Sequence, residues 1–211
     1  MMPDDICAAP IGIIAEVRQF LADLRHNLPE VFNVRQLVKS ASRTRRISYQ
    51  GRHLELRIEQ APATGRSTIE AGDEELRLLL SPDDPRTVGA ILEDWYRDRA
   101  REVLADRVAH WARDIGVRYQ RIAIKDQRSL WGSCSPNSNL NFNWRLIMAP
   151  ADILDYVVIH ELCHLVEMNH SRRFWKLISR WCPEHKVHRR WLREYGQGLK
   201  KRVRPGLLFF N

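Results

Sequence analysis

Apolar and polar residues alternate with a period that changes several times along the 211-residue chain, and each change marks an expected element. Val17, Phe20, Leu21 and Leu24 have helical spacing inside a leader, residues 1–40, that reads as partly helical. Leu54, Leu56 and Ile58 then alternate with mostly charged neighbours, as in a half-exposed strand. Arg45–Tyr49 and His53–Glu59 are expected to pair across a turn at Gln50-Gly51-Arg52, and Leu76–Leu80 to add a third strand stopped by Ser81-Pro82. From Pro85 to Ile115 the apolar positions return mostly at steps of three and four, which predicts a helix ended by Gly116 and long enough to bend or break near its middle. Gln120–Lys125 reads as a strand, and Arg128–Asn137 as a strand end entering a turn. Leu140, Phe142, Trp144, Leu146 and Met148 alternate with Asn141, Asn143 and Arg145, predicting one strand through Met148 with a polar face. Pro150 suits the first turn of a helix. The stretch from Asp152 to Met168 is apolar nearly all round, so it is expected to be a buried helix. Two or three short basic helices should finish the chain.

That buried helix carries the chemistry. His160 and His164 are four residues apart, which leaves both imidazoles on one helix face, able to point at one metal ion. Glu161 follows the first histidine, where it reaches a water held by that metal. The arrangement is HExxH, with the glutamate as general base and zinc as the activating cation. The apolar run Ile153–Ile159 buries the helix, and a His-Glu-His cluster in such a setting is costly without a partner. Catalytic zinc commonly has three protein ligands. His170, ten residues beyond His160, has the spacing of the third ligand in HExxHxxGxxH proteins. The glycine of that pattern is replaced by Glu167, so the turn has to be made otherwise, with Asn169 in a left-handed conformation and Ser171 capping the next helix. Glu167, His185 and His188 remain rivals for the third position.

Charge and cysteine usage narrow the setting. The net charge of +8 arises wholly within residues 161–211, where 12 Lys/Arg stand against 4 Asp/Glu. Such a basic part attracts nucleotides, nucleic acid or acidic peptides, or is simply a solvated helix face. Cys7, Cys134, Cys163 and Cys182 form no CxxC pair, so free thiols in a reducing compartment are expected. No apolar run approaches the ~20 residues that span a bilayer, and the first residues are acidic, unlike a secretory signal. A cytoplasmic location is the expectation; oligomeric state is not readable.

Arg128-x-x-Trp131-Gly132-Ser133-Cys134, the Leu140–Arg145 segment with Asn143, Val158-Ile159-His160-Glu161-Leu162-Cys163-His164 and Asn169-His170-Ser171-x-x-Phe174-Trp175, with Cys182-Pro183 beyond, together resemble the YgjP-like metallopeptidase family. More distantly the chain is similar to WLM and SprT-like zinc proteases. The resemblance covers residues 40–200, with its specific motifs between 128 and 183. It implies an α+β fold with a zincin-like metallopeptidase core, in which a small sheet sets an edge strand beside a buried metal-binding helix. A strand-rich part and a long helix precede that core. The organisation expected is a leader over 1–40, a strand-rich region over 41–84 and a zinc metallopeptidase domain over 85–205. The resemblance implies His160, His164 and His170 as metal ligands, Glu161 as catalytic acid/base, and a peptide or protein substrate. It also suggests that the strand over Leu140–Met148 offers its free edge to substrate, with Asn141, Asn143 and Arg145 lining the cleft; their other reading is the polar face of a half-buried strand. Trp131 and Cys134 are expected to be packing residues. Proteins resembling this family have been linked to UTP pyrophosphohydrolysis, which leaves a nucleotide hydrolase as one alternative. A non-catalytic, metal-stabilised nucleic-acid-binding module is another.

Overall fold

The computed structural model describes residues 45–63 and 65–201. The expectations for the leader over 1–40 and for Cys7 fall outside these residues. Four strands come first: β1 (Arg45–Tyr49), β2 (Arg52–Gln60), β3 (Thr68–Ala71) and β4 (Glu75–Leu80). They form a sheet of order β1-β2-β4-β3 in which only β2 and β4 run parallel. Gln50 (φ 49°) and Gly51 (φ 74°) make the two-residue connection between β1 and β2. Two successive left-handed residues give a hairpin turn whose twist matches its strands. Leu54, Leu56, Leu76, Leu78 and Leu80 are buried, so the alternation read from β2 and β4 is the core-facing side of the sheet. The pattern did not disclose β3, because its lone large apolar residue, Ile69, has exposed neighbours.

Helix α1 (Val88–Ile115) runs unbroken for 28 residues. Thr87 caps its start by accepting from the Ala90 amide, and Gly116, at φ 80°, ends it in the left-handed conformation. Its buried stripe includes Ile91, Leu92, Tyr96, Leu104 and Val108. A second sheet follows, from β5 (Arg121–Lys125), β6 (Gly132–Cys134) and β7 (Asn139–Asn143), in the order β5-β7-β6.

Two expectations are corrected here. First, the strand ends at Asn143 rather than Met148, and Trp144–Met148 forms a 3-10 helix. All five of its residues are buried, which a half-exposed strand does not permit, and the Asn143 side chain starts the turn by accepting from the Arg145 amide. Second, β7 is the central strand, paired on both sides, so it has no free edge.

Helix α2 (Ala151–Cys163) begins after Pro150 and is followed by α3 (Arg172–Trp181), α4 (His185–Glu194) and α5 (Gly196–Lys201). Buried residues of both sheets, α1 and α2 belong to one hydrophobic cluster. The β1–β2 turn is tied to the chain just before α2, with the Gln50 amide donating to the Ile147 carbonyl and the Gly51 amide to that of Met148. A side chain at position 51 would put its Cβ 2.8 Å from Pro150 Cα. The N-terminal sheet is thus seated directly against the start of α2.

Candidate metal centre

Helix α2 is shorter than its apolar run suggests. It stops at Cys163, and the Leu165 and Val166 amides bond three residues back, to Leu162 and Cys163. This tightening turns His164 and the chain behind it without a left-handed residue. Asn169 has an ordinary negative φ, contrary to expectation; its carbonyl instead accepts from the Ser171 amide. Ser171 caps α3 through the Phe174 amide, as expected. The result brings His170 back over the face of α2 that holds His160 and His164.

One ring nitrogen from each of the three imidazoles lies within 4.8 Å of the other two. His160 Nε2 and His170 Nε2 are 3.0 Å apart. His164 Nδ1 is 3.2 Å from the Glu167 carbonyl, so it carries the proton and its Nε2 presents a bare lone pair. Burial, then the neighbouring charges of His164, His170 and Arg189, holds His160 down to about 3. Burial likewise lowers His164. Both rings are therefore neutral at physiological pH. Three imidazoles that each bring a ring nitrogen to one place make a nitrogen donor set for a transition-metal ion. His160 Nδ1 is buried without a hydrogen-bond partner, and among the described residues its Nε2 meets only the Nε2 of His170. The residues present fit a bound cation.

Aromatic packing fixes the rings. Phe174 stacks on His164 at 4.5 Å and meets His160 and His170 edge-on. Trp175 stacks on His170 at 5.8 Å. These two residues hold the triad in position, a role that helical spacing alone did not disclose; their place directly after the Ser171 cap was the available signal.

Glu161 is buried and lies against β6. A Cβ placed on Gly132 would sit 2.6 Å from Glu161 Oε1, so only glycine leaves room for the carboxylate there. Burial pushes this carboxyl up to about 8. Gly132 is thus a site residue that sequence reading placed only in a motif.

The other residues singled out are engaged elsewhere. Asn143 is fully buried, donating to the Gln127 and Leu130 carbonyls. Arg145 is buried, pairs with Asp126 and lies over the Trp144 ring. These contacts match the other reading of the two residues, polar groups engaged within the fold. Asn141 is half-buried on β7 and donates to the Ser133 hydroxyl of β6. Of the rival ligands, Glu167 contributes its carbonyl to His164. His185 stacks on Trp175 and contacts the Cys182 carbonyl through Nδ1. His188 is buried between Cys182 Sγ and Asp152; burial works against its charge, but those partners raise it to about 9. Trp131 is half-buried, with Gly196 close against its ring and Lys200 Nζ 4.5 Å from its centroid, and Cys134 is half-buried on β6; both are packing positions.

The family model described as YgjP-like, metallopeptidase domain, matches residues 12–195. Among solved structures the chain is similar to the metallopeptidase zymogen abylysin of Pyrococcus abyssi, at 20% identity over 44% of this chain and 96% of that one, with a TM-score of 0.41. It is also similar to the zymogen jannalysin of Methanocaldococcus jannaschii, at 21% identity over 40% and 90% of the two chains, with a TM-score of 0.36. No curated protein matches the chain in sequence.

Proposed function

The chain belongs to the YgjP-like metallopeptidase family, and from that premise we propose that it is a zinc-dependent peptidase in which Glu161 is the general base. The observation that carries this reading is the convergence of one ring nitrogen each from His160, His164 and His170 within 4.8 Å, with the buried Glu161 next in sequence to His160. Three imidazoles without a carboxylate ligand suit zinc better than magnesium or calcium, which prefer oxygen. His160, His164 and His170 would hold the ion. When bound, it would supply Lewis acidity toward the scissile carbonyl and ease deprotonation of water.

The remaining work falls to the chain's own groups. The outer edge of β6, beside Glu161, is unpaired among the described residues. An extended peptide adding to that edge would run past the carboxylate. This replaces the β7 edge as the substrate track. Glu161 takes the proton of the attacking water and returns it to the leaving amine. The buried position of Glu161 against Gly132 of β6 holds its carboxyl in one place for both transfers.

Cys134, Cys163 and Cys182 are free thiols, in keeping with a reducing, cytoplasmic setting. None of the described helices is long and apolar enough to cross a membrane. We read residues 41–84 as a buttress for the catalytic part, 85–205, because both contribute to one core.

The test is a peptide-cleavage screen on zinc-loaded protein with zinc content measured on the same samples. Wild type should cleave; Glu161→Gln should keep its zinc and lose at least about 100-fold in rate. Full activity in Glu161→Gln refutes the assignment. Pyrophosphate release from UTP without peptide cleavage would assign the site to nucleotide hydrolysis instead.

A further inference from the structure

Arg189 and Arg180 are exposed bases of α4 and α3 that each lie over a tryptophan, but among the described residues only the ring under Arg189 touches the histidines. The Arg189 guanidinium carbon is 5.1 Å from the centroid of the Trp175 ring. That same indole stacks on His170 at 5.8 Å and lies 6.2 Å from the His160 ring. The two spacings bound the distance from guanidinium to the His170 ring at about 11 Å, roughly three residues of extended chain. Its positive charge reaches both His160 and Tyr156, whose proton affinities it lowers.

Arg189 is exposed, and among the described residues it has no carboxylate within ion-pair distance. Arg145 and Arg97, which lie over Trp144, are by contrast paired with acids, and Arg180, over Trp181 at 5.1 Å, sits on a ring that stacks on no histidine among the described residues. α3 has no acidic residue and α4 has only Glu194, while the nearby acids Glu184 and Asp152 lie against His188. A guanidinium lying on an aromatic face keeps its N–H fork available, and a stacked, pre-positioned fork loses little entropy when it binds a carboxylate with two hydrogen bonds.

We propose that Arg189 is a specificity-determining residue that binds a substrate carboxylate within about three residues of the scissile bond. The proposal rests on the peptidase reading above and deepens it by naming the substrate class: peptides carrying an acidic side chain, or their chain-terminal carboxylate, at that place. The field of the neighbouring bases draws such substrates toward the site.

The test uses zinc-loaded, full-length protein and quenched peptides in matched sets. One set is C-terminally amidated and differs only by Asp, Asn or Lys at each position flanking the cleavage site. A second set ends at those positions with a free or amidated C-terminus, which separates the two sources of carboxylate. Wild type should favour a carboxylate peptide over its neutral partner by about 10-fold or more in kcat/KM, the scale of a charge-assisted hydrogen bond. Arg189→Gln should erase that ratio, and Arg189→Glu should invert it in favour of Lys. No carboxylate preference in wild type, or the same preference in all three proteins, overturns the proposal.

Binding separates this failure from failure of the peptidase reading. The same peptides are titrated onto zinc-loaded Glu161→Gln with and without Arg189→Glu. Carboxylate-dependent affinity that disappears with Arg189→Glu supports anion recognition even if no peptide is cut, and absence of cleavage then counts against the peptidase reading alone. Affinity indifferent to the carboxylate overturns the Arg189 proposal.

Discussion

Glu161 is a carboxyl that the fold shelters at a cost, and that cost has a sign. Burial pushes it to about 8, whereas an unfolded glutamate titrates near ~4.3. Between those values the native, metal-free protein holds a proton that the unfolded chain releases, so stability falls as pH rises through the window. Glutamine removes the penalty. In the presence of a chelator, Glu161→Gln and wild type should melt alike at about pH 4, below the unfolded value, with the variant higher by about 10 °C at about pH 8.5. Identical melting temperatures at both pH values would show that the carboxyl is not sheltered as described. Gly132 sets the other limit on this side chain. Gly132→Ala brings a Cβ to 2.6 Å from Oε1, so the carboxylate has to move while the imidazoles stay. The expected result is retained zinc with kcat reduced by about 10-fold or more, since misplacing a reacting group by about 1 Å is enough for such losses. Unchanged kcat would place the carboxylate elsewhere.

At the scale of the element, what the sequence disclosed depended on whether local pattern or tertiary contact set the boundary. α1 was legible at its end because Gly116 is a local signal, whereas its start, read at Pro85, is set at Val88 by the Thr87 cap; the HExxH spacing was legible because it needs only helical geometry. The β7 terminus was not, because Trp144–Met148 continues an apolar alternation while being wrapped on all sides by α1, α2 and the β1–β2 turn. The end of α2 was likewise hidden inside an apolar run and is set by i to i−3 bonding after Cys163. The polar residues of β7 were ambiguous for the same reason: a buried asparagine that satisfies backbone groups looks, in sequence, like one that faces a cleft. Asn143 joins the 127–130 loop to the 3-10 helix through three contacts, two of them to carbonyls. Asn143→Leu should therefore cost about 2–3 kcal/mol, because buried backbone groups lose their partners. Urea unfolding at constant m-value checks this, and a loss below about 0.5 kcal/mol would mean the amide is dispensable.

For the whole molecule, the sequence disclosed the histidine spacing of the C-terminal half and the sign of its charge, but not that the N-terminal sheet bears on the start of the helix that carries His160. That contact is made by Gly51, whose turn donates to the chain just ahead of Pro150. The residue is doubly constrained, by a φ of 74° and by a Cβ position 2.8 Å from Pro150 Cα. Gly51→Ala should destabilise the protein by about 1–3 kcal/mol, the usual range for left-handed strain joined to a backbone clash. Thermal melts of metal-free protein measure it, and an unaltered melting temperature would uncouple the sheet from the site.

The most direct test of the account is anomalous diffraction from crystals of the zinc-loaded protein, recorded on both sides of the zinc absorption edge. The account predicts one strong peak, about 2.0–2.1 Å from a nitrogen of each of His160, His164 and His170, with Glu161 outside the coordination sphere. A peak held by other residues, or none at stoichiometric zinc, would contradict it.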